Sequence, residues 1–320
     1  MTDSIVASQI GNLLDRYPDI RLLSLDCFDT LLWRVTHAPR DVFAALPDLT
    51  SEQRIWAEQR ARSAAAARRG RAEVGIDEIY ATLLRNADAA QRAAHIAREL
   101  ALEAEHCFAF APTVELMREA QRRGIPVVIV SDTYLDQRQL AGLIRASAGE
   151  AVLSLIDRIF CSSEYGLSKS EGLFRHVLDA TGAAPATMLH VGDNHAADVV
   201  AATKAGIPAL HLNQFSDVAQ QRLRLEAAVS AVIRSGPAIP ACQTHRAAMA
   251  LSEPWIDDAA EALGYTTLGP VLHGFTRWLA DAERAMAARC VWQAGIAGPD
   301  RITALTATSS RSRCCATSEN

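Results

Sequence analysis

The sequence predicts an α/β fold: a doubly wound parallel sheet with an inserted helical region and a helical C-terminal extension. Three observations carry this prediction. Short apolar runs alternate with helix-length segments from Arg21 to Leu212, residues 41–110 are almost wholly helical in pattern, and no strand-like run follows Asn213. Strands alternating with helices in this way form parallel sheets, because each parallel connection needs a crossover that covers one face.

In chain order, residues 5–16 read as a short lead-in helix and Arg21 to Leu25 as a buried strand ending at Asp26. Residues 41–110 are rich in Ala, Arg, Glu and Leu, with breaks near Pro47 and at Gly70 to Gly75, which predicts a helical insert. After Pro112 come a helix over Thr113 to Arg123, the strand IPVVIVS, a helix near Leu135 to Arg145 and a strand around Arg158 to Cys161. A helix over Ser170 to Ala180, the strand MLHVG, a helix over Ala196 to Ala205 and the strand IPALHL complete the sheet. Amphipathic helices follow, with Phe275 and Trp278 expected in their core. The expected division is 1–32 and 111–213 as the sheet domain, 33–110 as the helical insert and 214–289 as the helical extension. Residues 290–320, where periodicity fades and Ser and Thr accumulate, are expected to be a disordered or aberrant tail.

Composition narrows the function classes. With 49% hydrophobic and 22% charged residues, the 320-residue chain can bury a substantial core and falls outside disordered or fibrous composition. The opening MTDSIVASQIGNLLDRYPD lacks the basic and apolar regions of a secretory signal, and no later run reaches the ~20 apolar residues of a membrane span. A cytoplasmic protein without a membrane span is expected. The seven cysteines contain no CxxC pair, so free thiols are expected rather than a disulfide framework or zinc site. A net charge of −5 offers no basic field for nucleic acid, and no nucleic-acid role is assigned.

Four segments that end strands or open helices can carry chemistry. They are LDCFDTLL with Asp26, VIVSDTY with Ser131 and Asp132, GLSKSEGLF with Lys169, and HVGDNHAAD with Asp193 and Asp198. Each has an ordinary reading in isolation: Asp26 and Asp193 as turn residues, Ser131 as a helix cap, Lys169 as a solvated lysine. Together, in this order and on these elements, they resemble the four motifs of the haloacid-dehalogenase-like (HAD) hydrolase superfamily. The resemblance spans about residues 20–213, with the helical insert where that superfamily carries its cap domain. It implies a Rossmann-like core and a Mg²⁺-dependent hydrolase, a phosphatase acting on a phosphorylated small molecule through an aspartyl-phosphate intermediate.

The chemistry of the residue types agrees with that implication. A carboxylate becomes a useful nucleophile when its target is neutralised by a metal ion and a cationic side chain, which suits Asp26 beside Lys169. Mg²⁺ prefers oxygen ligands and keeps several waters, so Asp26, Asp193 and the Phe28 backbone carbonyl suffice as the protein share. Asp198 would support that shell or hold Lys169. Ser131 and Lys169 can bind the transferring phosphoryl oxygens, helped by backbone N–H groups after Asp26. Asp132 and Arg34 are further substrate-binding candidates. His190 and His195 are read as structural, because Mg²⁺ favours oxygen. The basic set Arg54, Arg60, Arg62, Arg68, Arg69 and Arg71 reads as a solvated face that could also draw an anionic substrate.

The sequence departs from the family at one position. Most phosphatases of the superfamily have a second Asp two residues after the nucleophile, where it protonates the leaving group; here Phe28 stands there and Asp29 follows one place later. The departure implies a slow phosphatase using Asp29, another leaving group, or a catalytically weakened binding or regulatory module. Haloacid-cleaving relatives have an aromatic residue at this position but lack the acidic metal pair. Phosphonate-cleaving relatives use a cap lysine, and no lysine lies between Asp26 and Ser131.

DCFDTLLWR together with SDTYL is similar to a bacterial subgroup associated with glycosyltransferases of surface-polysaccharide synthesis, and LGYTTLGPVLHGFTRWL (Leu263 to Leu279) is similar to the segment that follows its hydrolase domain. The resemblance implies association with that machinery. In those relatives a further domain continues, whereas here the pattern is lost after about Arg289. A chain cut short or a changed reading frame is therefore expected.

Overall fold

The computed structural model of the chain describes residues 4–215, 220–221, 223–225, 227, 260, 263–264 and 268–286. The expected tail over residues 290–320 lies outside the described residues. Two compact units divide the chain, Met1–Val271 and Leu272–Asn320.

One sheet of the first unit contains β1 (Ser4–Ile5), β2 (Leu22–Leu25), β5 (Val127–Ser131), β6 (Arg158–Cys161), β7 (Met188–Gly192) and β8 (Ala209–Leu212). Separately, β3 (Leu32–Arg34) and β4 (Cys107–Ala109) pair as an antiparallel ribbon. The sheet order is β1-β8-β7-β2-β5-β6, and every pair is parallel. Between Ser51 and Lys204 nine helices accompany these strands: α1 (Ser51–Arg69), α2 (Ile76–Leu83), α3 (Ala89–His106), α4 (Ala111–Arg122), α5 (Gln137–Ala148), α6 (Glu150–Leu153), α7 (Ser162–Tyr165), α8 (Leu173–Thr181) and α9 (Ala201–Lys204). This is the doubly wound α/β fold that the sequence predicts.

The strands read as continuous apolar runs because helices cover both faces of the sheet. Successive side chains point to opposite faces, so one strand feeds two cores. Leu23, Leu25, Ile129, Leu189 and Val191 pack with Met117 of α4 and with Leu140 and Ile144 of α5. Leu22, Val128, Val130, Phe160 and Met188 pack on the other face with Leu173, Phe174 and Val177 of α8.

The start of the chain differs from the expected lead-in helix. Residues Ser4–Ile5 pair with His211 and Leu212 as an edge strand, and two 3₁₀ turns, Ala7–Gln9 and Leu13–Arg16, follow. Gly11 and Asn12 fall between those turns, and neither favours a continuous helix interior.

Between β3 and β4 lie a 3₁₀ turn, Pro39–Ala45, and α1 to α3. Helix α1 opens on Thr50, whose side chain accepts from the Gln53 N–H, and closes on Gly70 at φ 69°, a left-handed cap that glycine adopts without a Cβ penalty. Ala57, Ala61 and Ala65 of α1 pack on Val74 and Ile79. The wholly buried Arg54 donates to both carboxylate oxygens of Glu99 on α3, at 2.7 and 2.8 Å, and Tyr80 donates to Glu99 at 2.7 Å. Ser162 donates to Glu73 at 2.6 Å, and the Ile76 N–H donates to the Tyr134 carbonyl at 2.8 Å, tying the insert to the sheet unit.

In the second stretch of described residues, the helix Gly269–Met286 carries Phe275 and Trp278, whose rings stack at 5.9 Å. They are 52% and 62% exposed, so neither is the core residue expected from the sequence. Their i, i+3 spacing lets them meet each other instead. Among the described residues no helix is long and apolar enough to cross a membrane.

Candidate active site

The chain runs outward from β2 in both directions, to β5 and β6 on one side and to β7 and β8 on the other. That reversal opens a crevice at the carboxyl ends of β2, β5 and β7, where ligands of open α/β sheets bind. Asp26 follows β2, Ser131 ends β5 and Asp193 follows β7. Lys169 opens the 3₁₀ turn Lys169–Glu171. A cavity of 360 Å³ there is lined by all nine residues expected at the site: Asp26, Phe28, Asp29, Arg34, Ser131, Asp132, Lys169, Asp193 and Asp198. Arg40, Phe43, Glu58 and Arg62 of the insert line its other wall.

Carboxylate oxygens of Asp26, Asp193 and Asp198 lie within 4.8 Å of one another. Lys169 sits between two of them, donating to Asp26 at 2.6 Å and to Asp198 at 2.5 Å while being only 4% exposed. Burial raises the Asp26 carboxyl pKa to about 7, despite the opposing charge of Lys169. Burial, then the neighbouring carboxylates of Asp26, Asp29 and Asp198, raises that of Asp193 to about 8. Burial acts against ionised Asp198 too, but Lys169 and His190 outweigh it and hold this group below the usual carboxylate range. Burial alone would lower the Lys169 pKa; Asp26, Asp198 and Asp132 raise it, so the ammonium stays charged.

The oxygens of Asp198 are spoken for. One accepts from Lys169 and, at 3.1 Å, faces His190 Nε2; the other accepts from the Asn194 N–H at 2.8 Å. Asp198 lies so close to the backbone of Gly192 that a Cβ built there would fall 2.2 Å from its carboxyl carbon. Glycine is therefore required at Gly192 by close approach.

The Ser131 hydroxyl is buried and has no hydrogen-bond partner in the structure. An unpaired buried hydroxyl is costly unless a ligand oxygen completes it. The backbone cradle expected after Asp26 is smaller than the sequence suggested. Asp29 N–H donates to the Leu32 carbonyl, and the Leu31 and Leu32 N–H groups donate to the Cys27 carbonyl, so these three are used in closing the loop. Asp29 itself is left-handed, at φ 58°.

Asp132 accepts from the Lys169 N–H at 2.8 Å, so this carboxylate orients the lysine turn. Arg34 stacks 4.2 Å above the Phe28 ring, pairs with Glu103 at 2.5 Å and reaches within 3.9 Å of Asp29. Glu73, Glu103 and the His190 contact with Asp198 are features that sequence reasoning missed. Only the spacing of His190 before the acidic motif hinted at the last.

The donor set fits Mg²⁺. Three hard carboxylates converge with one ammonium to offset them, and the two with raised pKa values, Asp26 and Asp193, are those whose charge a divalent cation would stabilise. Asp198, occupied by Lys169, His190 and Asn194, fits a supporting place behind them.

Solved structures similar to this chain include L-2-haloacid dehalogenase from Xanthobacter autotrophicus, at 15% identity over 71% of this chain and 97% of that one, TM-score 0.46. A 2-haloacid dehalogenase from Pseudomonas syringae pv. Tomato has 19% identity over 61% of this chain and 87% of its own, TM-score 0.44. A predicted phosphoglycolate phosphatase from Haemophilus somnus has 17% identity over 61% and 86%, TM-score 0.40. No curated protein matches the chain. The family model for haloacid dehalogenase-like hydrolases matches residues 20–206, more than half of the sequence and the whole span from β2 to the turn after α9; the chain belongs to that family.

Proposed function

We propose that the chain is a Mg²⁺-dependent phosphoric monoester hydrolase acting on a phosphorylated small molecule, with Asp26 as nucleophile. The observation that carries this reading is the buried trio Asp26, Asp193 and Asp198 with Lys169 between two of its members. Asp26, Asp193 and the Phe28 backbone carbonyl would hold the ion, with Asp198 behind them. When bound, Mg²⁺ supplies Lewis-acid neutralisation of phosphoryl oxygens.

The residues of the chain divide the remaining work. A carboxylate oxygen of Asp26 attacks phosphorus, the bond from phosphorus to the leaving oxygen breaks, and an acyl phosphate forms on Asp26. Lys169 and the Ser131 hydroxyl hold phosphoryl oxygens as charge shifts onto them. Water then attacks phosphorus, releasing phosphate and restoring Asp26. Phe28 cannot supply a proton to the leaving oxygen. Asp29, the next residue along, lines the same cavity and is the group assigned to that transfer. The insert over residues 33–110 acts as a cap, and its wall of Arg40, Phe43, Glu58 and Arg62 meets the substrate's leaving portion. An association with glycosyltransferase machinery belongs to the same proposal, supported by the DCFDTLLWR and SDTYL resemblance, and a cytoplasmic setting is proposed with it.

A second reading, a catalytically weakened binding or regulatory module, is favoured by Phe28 alone. A phosphometabolite screen with and without Mg²⁺ separates the two. The first reading expects phosphate release from a subset of compounds only with Mg²⁺; binding of those compounds without release would support the second.

A further inference from the structure

Ser24 and His190 are a buried polar pair within an apolar layer. They are register partners on adjacent parallel strands, β2 and β7, and both are fully buried. Their neighbours along the same faces are Leu22 and Met188, which pack with Leu173, Phe174 and Ala202. Polar groups in such a layer cost stability unless every donor and acceptor finds a partner. Here they do: His190 Nδ1 lies 2.8 Å from Ser24 Oγ, and Nε2 lies 3.1 Å from Asp198 Oδ1. The Phe174 ring meets the imidazole edge-on, with centroids 4.8 Å apart.

The tautomer follows from the partners. Asp198 is an ionised acceptor, so Nε2 must carry the proton and donate to it. Nδ1 is then a lone-pair acceptor, and the Ser24 hydroxyl donates to it. Asp198 Oδ1, fixed from one side by this N–H, accepts the Lys169 ammonium from the other, and Lys169 donates to Asp26. A single line of hydrogen bonds therefore runs from Ser24 through His190, Asp198 and Lys169 to Asp26, with Asp198 accepting from both His190 and Lys169.

We propose that His190, whose Nε2–H is directed at Asp198 while Ser24 donates to Nδ1, is a positioning residue that fixes Asp198 and, through it, sets the Lys169 ammonium against Asp26. The inference rests on the role given to Lys169 under the proposed function. His190 touches neither substrate nor the reacting atoms. Partners at this remove from a reacting centre typically change activity by about 10- to 100-fold when removed.

Heteronuclear NMR of the full chain, combined with p-nitrophenyl phosphate kinetics in Mg²⁺, tests the assignment. The expected spectrum shows one neutral Nε2–H imidazole for His190. His190→Leu should shift the Lys169 side-chain ammonium resonance and lower kcat by about 10- to 100-fold with KM nearly unchanged. His190→Gln, whose amide can donate toward the same carboxylate, should recover most of the lost kcat. Should His190→Leu fail to fold, Ser24→Ala serves instead: it should keep the Nε2–H tautomer but, by leaving Nδ1 without its donor, shift the Lys169 resonance and lower kcat in the same direction. An Nδ1–H tautomer, an unmoved lysine resonance, or Leu and Gln variants as active as the parent would overturn the proposal. If the parent releases no phosphate at all, the phosphatase reading fails, while the tautomer and lysine resonances still decide the relay.

Discussion

Asp26 is buried beside two other carboxylates with one lysine to offset them, so the residue that reacts is also one that burdens the fold. Asp26→Asn should lower turnover by about 10³-fold or more, because an amide cannot attack phosphorus as the carboxylate does. The same change should raise the metal-free melting temperature above pH 7, since a buried charge is removed. Phe28 and Asp29 decide how the leaving group is protonated. Asp29→Asn should cut turnover of alkyl phosphates by about 10²-fold while sparing activated aryl esters, because protonation matters most for basic leaving groups. Equal losses on both substrate types would assign Asp29 a role in stability alone. The sequence motifs made Asp26, Ser131, Lys169, Asp193 and Asp198 legible, since each ends a strand or opens a turn. Ser24 opposite His190 was not legible, because that pairing depends on the register of β2 against β7, which no local pattern encodes.

At the scale of elements, two close contacts hold the geometry. Gly192 ends β7 where the Asp198 carboxyl leaves no room for a side chain. Gly192→Ala should cost about 1–3 kcal/mol in denaturant unfolding and displace the lysine contact as well. Gly11→Ala, at a position with nothing within 4 Å, is the matched control and should be nearly neutral. In the insert, Arg54 joins α1 to α3 through a bidentate pair with Glu99, fully enclosed. Arg54→Met should destabilise the protein by about 3–5 kcal/mol, because it leaves Glu99 buried without its cation. Helices α1 to α3 were legible from their Ala-rich periodicity and the Gly70 cap. Strands β1, β3 and β4 were not, since two or three residues show no measurable alternation and are defined only by their partners.

The sheet unit is doubly wound, and its reversal at β2 gathers four chain segments into one charged crevice. Folded Asp26 and Asp193 retain protons up to about pH 7 and 8, whereas unfolded carboxyls, with pKa values near 3.9, have already lost theirs. Over that window the native state binds more protons, so metal-free stability should fall as pH rises from about 4 to 8. Mg²⁺ competes with those protons, so the rise in melting temperature on adding Mg²⁺ should be larger at pH 8 than at pH 5.5, as differential scanning fluorimetry would show. The most direct test of the central claim is product release measured side by side: phosphate from p-nitrophenyl phosphate and halide from a 2-haloacid, each with Mg²⁺ and with a chelator. The account predicts phosphate release that requires Mg²⁺ and disappears in Asp26→Asn, with no halide released. Halide release that persists in the chelator, without phosphate release, would contradict it.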